Sequence, residues 1–140
     1  MSTSEKINPF MILPPLFRFI MEITAWLWLF IAVFSIDLFY IIFLCISICS
    51  LAFMNFPGDK AKDGPIPVPG FVRIFNELVF AGLFGIISAW ILFGQIGLVL
   101  QSSLIVIVVI FDYKRYLWML GYYEIPPIYV TYFKSYSQKT

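Results

Sequence analysis

Histidine is absent from this 140-residue chain, cysteine occurs twice, and charged residues make up only 12% of it. Without histidine, and with thiols only at Cys45 and Cys49, metal and haem sites are hard to build, so no metal or other cofactor is expected. The two cysteines lie i, i+4 in the apolar run "IIFLCISICSLAF". That spacing differs from the C-x-x-C of thiol oxidoreductases and is poorly placed for a bridge on a continuous helix, so both read as small apolar packing residues. Nine basic and eight acidic residues give a net charge of +1, which leaves no basic face for nucleic acid. No nucleophile stands with a base and no phosphate-binding loop occurs, which argues against an enzyme. The first residues, "MSTSEKINPFMILPP", lack a cationic region joined to an apolar core and do not read as a cleaved signal peptide.

What the chain has in abundance is apolar length. Hydrophobic residues make up 61% and the mean hydropathy is +0.94, far above a soluble domain. Four apolar segments, each near the length that crosses a hydrocarbon core as a helix, predict helices over 16–35, 37–55, 71–93 and 96–113. Continuous apolar runs without period-2 alternation exclude a barrel. The expected fold is an all-α membrane protein: a four-transmembrane-helix bundle at 16–116, made of two helical hairpins. A cytoplasmic segment, 1–15, precedes it and an aromatic interfacial tail, 117–140, follows it.

"FSIDL" around Asp37 and "FGQIG" at 93–97 read as tight turns, with Asp37 as the N-cap of the second helix. "FPGDKAKDGPIPVPG", 56–70, reads as an exposed loop ending in an extended Pro-x-Pro-x-Pro stretch. All nine basic residues fall on the side shared by that loop and both termini. By the positive-inside rule that side is cytoplasmic, which makes a multi-pass integral membrane protein with N- and C-termini in the cytoplasm.

"LFRFIMEITAWL" and "FVRIFNELVFAGL" place the same Arg-x-x-x-Glu pair, Arg18/Glu22 and Arg73/Glu77, in the cytoplasmic halves of the first and third helices. The recurrence suggests a parallel internal repeat. With a helix starting near Leu16, Glu22 lies about 9 Å into the core, where a carboxylate needs a partner. Crosswise pairs, Arg18 with Glu77 and Arg73 with Glu22, would link the hairpins. Asp112 is placed to join them, with Asn55 and Asn76 as neutral members. Ala81, Gly85 and Ala89 recur every four residues as a stripe for close helix packing. Gln101, Ser102 and Ser103 are the polar cluster of the outer half of the fourth helix, suited to bonds between helices, with the lining of a cavity as the alternative.

The stretches "RFIMEI", "FPGDKAKDGPIPVPG" and "VRIFNELVFAGLFGI", with a fourth helix ending in a basic run, resemble the YrdB-like family of small bacterial four-helix membrane proteins. The likeness covers roughly residues 14 to 120, with Arg18, Glu22, Arg73 and Glu77 coinciding with the family's pattern. The tail after Gly121 departs from it. The family is a domain of unknown function, so the resemblance implies the architecture and no activity.

Two functions follow as expectations. One is a structural or accessory membrane subunit held by a cytoplasmic-side Arg/Glu network, with the lipid bilayer, other membrane subunits or a second copy of itself as partners. The alternative is a small proton- or ion-coupled transporter or channel using Glu22 and Glu77. A lipid-acting enzyme, with Glu22, Glu77 or Asp112 as acid or base, stands third.

Overall fold

The computed structural model describes residues 9–60 and 64–131, and the chain is mostly helical. Helix α1, Pro9–Ser35, is followed by α2, Tyr40–Phe53. The two-residue strands β1, Met54–Asn55, and β2, Ile66–Pro67, pair in parallel across the central loop. Then come α3, Gly70–Asn76, a π-helical segment, Glu77–Leu83, and α4, Phe84–Met119.

Helix α4 reverses direction inside its own span. Gly94 takes φ 62°, ψ −141°, a left-handed backbone that favours glycine, and the residues on either side form two antiparallel limbs. Gly85 faces Gln101, Gly82 faces Ile105, and a Cβ on Gly97 would collide with the carbonyl of Ala89. The two glycines of "FGQIG" therefore do different work: Gly94 makes the turn and Gly97 lets the limbs touch. At the other reversal Asp37 accepts a bond from the Phe39 N–H at 2.7 Å, and its carbonyl accepts from the Tyr40 N–H at 3.1 Å. It shapes the turn ahead of α2, whose N-cap is Phe39.

The core takes Met21 and Ala25 from α1, Leu51 from α2, Ala81 from the π segment and Val108 from the last limb, so four helical limbs meet in it. Ser47 ties three of them together. It accepts from the Trp26 indole at 3.0 Å and donates to the carbonyl of Phe80 at 3.0 Å. That carbonyl lies in the widened π turn, where hydrogen bonds reach five residues back.

Burial is inverted relative to a water-soluble domain. Phe34, Ile96 and Ile110 are 75%, 71% and 62% exposed, while Arg73, Arg115, Glu77 and Asp112 are buried. Two helical stretches, Phe10–Ser35 and Gly70–Met119, are long and apolar enough to cross a membrane; α2 is apolar but shorter.

Several boundaries differ from the expected ones. Helix α1 is already formed at Pro9 rather than 16, with Pro14 and Pro15 inside it. Both lie beyond the first four residues, whose N–H groups have no intrahelical partner anyway, so each forgoes one i→i−4 bond of the helix. Helix α2 is shorter than 37–55, and α4 runs past 113 to Met119. Of the described residues in the 56–70 loop, Pro57, Pro65, Ile66, Pro67 and Pro69 are exposed as expected, but Asp59 and Gly70 are folded inward. Asp59 is 6% exposed, Phe56 packs edge-on against Trp118 at 5.1 Å, and Gly70 lies so close to Met119 that a Cβ would strike its carbonyl. Part of the 117–140 tail also returns, with a helical turn at 128–131 that buries Val130. Residues 1–8 of the expected cytoplasmic segment and 132–140 of the tail lie outside the described residues.

Candidate functional site, a buried ion cluster

Helical spacing brings Asp112, Arg115, Tyr116 and Met119 onto the face of α4 that continues the buried positions Gln101 and Val108. Arg115, fully buried, is the centre. Its Nε and Nη2 donate to the two oxygens of Asp59. Nη2 and Nη1 also donate to Glu77 Oε1 at 2.7 Å and Oε2 at 2.9 Å, and Nη1 reaches Asp112 Oδ2 at 3.4 Å. The rigid fork of a guanidinium suits this double bidentate contact, and all five of its donors are engaged.

Glu77 is equally committed. Besides Arg115 it takes Arg73 Nη2 at 3.0 Å, one helical turn back, and the Tyr116 hydroxyl at 3.3 Å. Arg73 Nη1 donates to the carbonyls of Leu51 at 3.1 Å and Met54 at 3.0 Å. Lys60 Nζ donates to the Leu51 carbonyl as well, at 3.0 Å. These are carbonyls that the end of α2 leaves without intrahelical partners. A cation there also opposes the negative end of the helix.

The α1 side of the cluster is looser. Arg18 approaches Asp112 Oδ2 at 3.5 Å, and Glu22 lies 3.9 Å from Arg73 Nη2. Both side chains are 17% exposed, and Arg18 Nη1 and Glu22 Oε1 make no hydrogen bond. Arg73 Nε likewise lacks a hydrogen bond, 4.0 Å from Asp59. Asp112 is held more firmly from the returning tail, by the Tyr129 hydroxyl at 3.0 Å.

All five expected residues, Arg18, Glu22, Arg73, Glu77 and Asp112, therefore lie in one cluster, but the pairing differs. Arg73 lies 3.9 Å from Glu22, the crosswise partner the sequence suggested, but its tighter carboxylate is Glu77 of its own helix at 3.0 Å. The reciprocal pair, Arg18 with Glu77, is replaced by Arg18 with Asp112, because Arg115 fills the space around Glu77. Asn76 bonds the Met54 sulfur at 3.4 Å, and the buried Asn55 amide has no side-chain partner. Ala81, Gly85 and Ala89 are buried, and a Cβ on Gly85 would lie 3.0 Å from that of Ala25. Gln101 accepts from the Trp28 indole at 3.2 Å and donates to Thr24 at 3.4 Å. Cys45 and Cys49 are free and exposed.

Sequence reasoning missed Arg115, Asp59, Lys60, Tyr116 and Tyr129. Arg115 had a signal: it follows Asp112 by three residues and Val108 by seven, on the inner face of the helix. Asp59, between proline, glycine and lysines, had none.

Burial alone would raise the Asp59 carboxyl, but the Arg115 guanidinium against it wins and holds it below the usual carboxylate range. Burial and the nearby Arg73 lower the Lys60 ammonium. Burial and Asp112 raise the Tyr129 hydroxyl. For Asp59 the folded pKa lies below the unfolded value. Its stabilisation is thus present above about pH 4 and lost as pH falls from there through the folded pKa. The gap in melting temperature between wild type and Asp59→Asn is expected to be widest near pH 6 and to shrink below pH 4. A gap constant down to pH 3 contradicts this.

Within the cluster the Glu77 carboxylate is sealed and fully engaged, while Arg18 Nη1, Glu22 Oε1 and Arg73 Nε are the buried polar atoms left without a hydrogen bond. Among the described residues no group of three or more His, Cys, Asp or Glu could hold a metal. A groove of about 720 Å³ between α1 and α4, lined by Thr24, Trp28, Phe93, Gly97, Gln101 and Ser103 among others, contains no acid, base or thiol. No family model, curated protein or solved structure matches this chain.

Proposed function

We propose that this protein is a multi-pass integral membrane protein whose four helical limbs all cross the bilayer, with both termini cytoplasmic. In this reading it serves as a structural or accessory membrane subunit, and the ion cluster is the clasp that holds it together. The observation that carries the reading is Arg115, whose donors are all spent on Asp59, Glu77 and Asp112. A site that exchanges a proton or ion needs an unspent group and a path to it.

The inverted burial supports the membrane setting, because large exposed Phe and Ile side chains are costly in water and free of that cost in lipid. The length of α2 explains why charge is needed inside. Its 14 residues rise about 21 Å against a hydrocarbon thickness of about 30 Å. Its last carbonyls would then lie within the bilayer, where water cannot satisfy them; Arg73 and Lys60 do so instead, and the non-helical residues that follow α2 complete this limb's crossing. The carboxylates balance those cations. The likeness to the YrdB-like family agrees with this architecture and adds no activity.

The coupled transporter remains the second reading because of one observation, the buried Glu22 oxygen without a hydrogen bond. Liposomes containing the purified protein and a pH-sensitive dye separate the two. The structural reading expects no proton flux above that of empty liposomes. Flux that disappears in Glu22→Gln would replace it with the transporter.

A further inference from the structure

The described residues include five lysines and arginines, and four of them are committed inside the protein. Arg18, Arg73 and Arg115 face carboxylates, and Lys60 caps the Leu51 carbonyl. Lys114 is the fifth. It is exposed, no carboxylate pairs with it among the described residues, and its ammonium lies 5.9 Å from the ring of Tyr113.

Lys114 stands on the wall of a groove of about 720 Å³ at the same end of the molecule as the ion cluster. Phe10 and Pro14 line it from the start of α1, Ile110 from α4, and Tyr123 and Ile128 from the segment that returns after α4. Ile110 and Ile128 are 62% and 70% exposed, so the walls are apolar surface left open rather than core. Pro14 lies one helical turn before Arg18, which puts the groove just outside the charged layer.

This combination fits one kind of occupant. Tyrosines 113 and 123 mark the level at which a membrane protein meets headgroups. An ammonium with no carboxylate partner among the described residues, set beside apolar walls, complements a molecule with a phosphate and a hydrocarbon chain. The cytoplasmic leaflet supplies such molecules in anionic form, and a lysine near that surface gains from their charge.

We propose that this groove binds an anionic phospholipid of the leaflet it faces, with the headgroup phosphate on Lys114 and an acyl chain along Phe10, Pro14, Ile110 and Ile128. The proposal rests on the membrane reading above. It assigns the protein a specific lipid contact that the sealed ion cluster does not make.

Native mass spectrometry of the full chain, released from detergent with added phosphatidylglycerol or phosphatidylcholine of identical chains, tests it. Wild type should retain phosphatidylglycerol about fivefold better, the advantage expected of one lysine at an anionic surface. Lys114→Gln should lose that preference without a change in melting temperature, and Lys114→Arg should keep it. Ile128→Glu, which sets a carboxylate in the groove, should abolish it independently. Equal retention of the two lipids by wild type, or a preference unchanged in Lys114→Gln, overturns the site. So does a photocrosslinker at position 128 that captures a second copy of the chain rather than lipid. Flotation with vesicles and protease removal of tags at both ends distinguish the two failures. A chain that does not float, or whose tags lie on opposite sides, defeats the membrane reading. A chain that floats with both tags on one side yet shows no lipid preference defeats the groove alone.

Discussion

Replacing Arg115 with alanine is expected to cost about 3–5 kcal/mol, the range for removing one partner from a buried ion pair. Asp59 and Glu77 would both remain buried, with Arg73 as the nearest cation, on the Glu77 side at 3.0 Å and on the Asp59 side only at 4.0 Å. Melting in mild detergent should show the loss directly. Arg115→Lys should recover little of it, because a single ammonium cannot reproduce two bidentate contacts. Removing the charge and its partner together is a different matter. In Arg115→Met/Glu77→Met the penalty should fall short of the sum of the single changes by about 0.5–3 kcal/mol, since those residues share one network. A loss below about 1 kcal/mol in Arg115→Ala would mean that the cluster is not the clasp.

This central role was largely hidden in the sequence, and the reason is physical. The helical class was legible because apolar runs of about 20 residues leave the backbone few other solutions, and "FGQIG" advertised a reversal through its glycines. The helical neighbours Arg73 and Glu77 could be read from spacing alone. Arg115, by contrast, sits in "YKRY", where a basic run beyond an apolar segment normally marks a membrane boundary, so its inward phase was overshadowed by its location. Asp59 is brought to Arg115 by the fold of the central loop, 56 residues away in the chain, and no periodicity extends through a loop. The loop reads as exposed because proline, glycine and lysine are judged one at a time. What draws it inward is collective: the β1–β2 bridge, the contact of Phe56 with Trp118, and the unmet carbonyls of α2. The start of α1 was displaced because proline reads as the first position of a helix, whereas Pro14 and Pro15 lie inside this one.

Those carbonyls make Arg73 the second residue whose loss should be severe. Arg73→Ala removes two donors from the end of α2, one partner from Glu77 and the nearest cation to Glu22. The expected loss is again about 3–5 kcal/mol, but its signature should differ from that of Arg115. Lys60 still reaches Leu51, whereas the Met54 carbonyl is left with no donor from a side chain, at the point where β1 begins. Unravelling should therefore start in the central loop. Amide exchange should rise first at Val68, whose N–H bonds the Asn55 carbonyl at 3.0 Å, and along 54–60, while the middle of α1 around Ala25 and Leu29 stays protected. Arg73→Lys should fall between alanine and wild type, keeping a charge near Glu77 but supplying fewer directed donors to the two carbonyls. Uniform acceleration of exchange in α1 and the loop alike would show that Arg73 supports the whole bundle rather than the end of α2. If exchange at Val68 does not change, the proposed link between the short helix and the buried charges fails. The buried charge would then need a reason other than the length of α2.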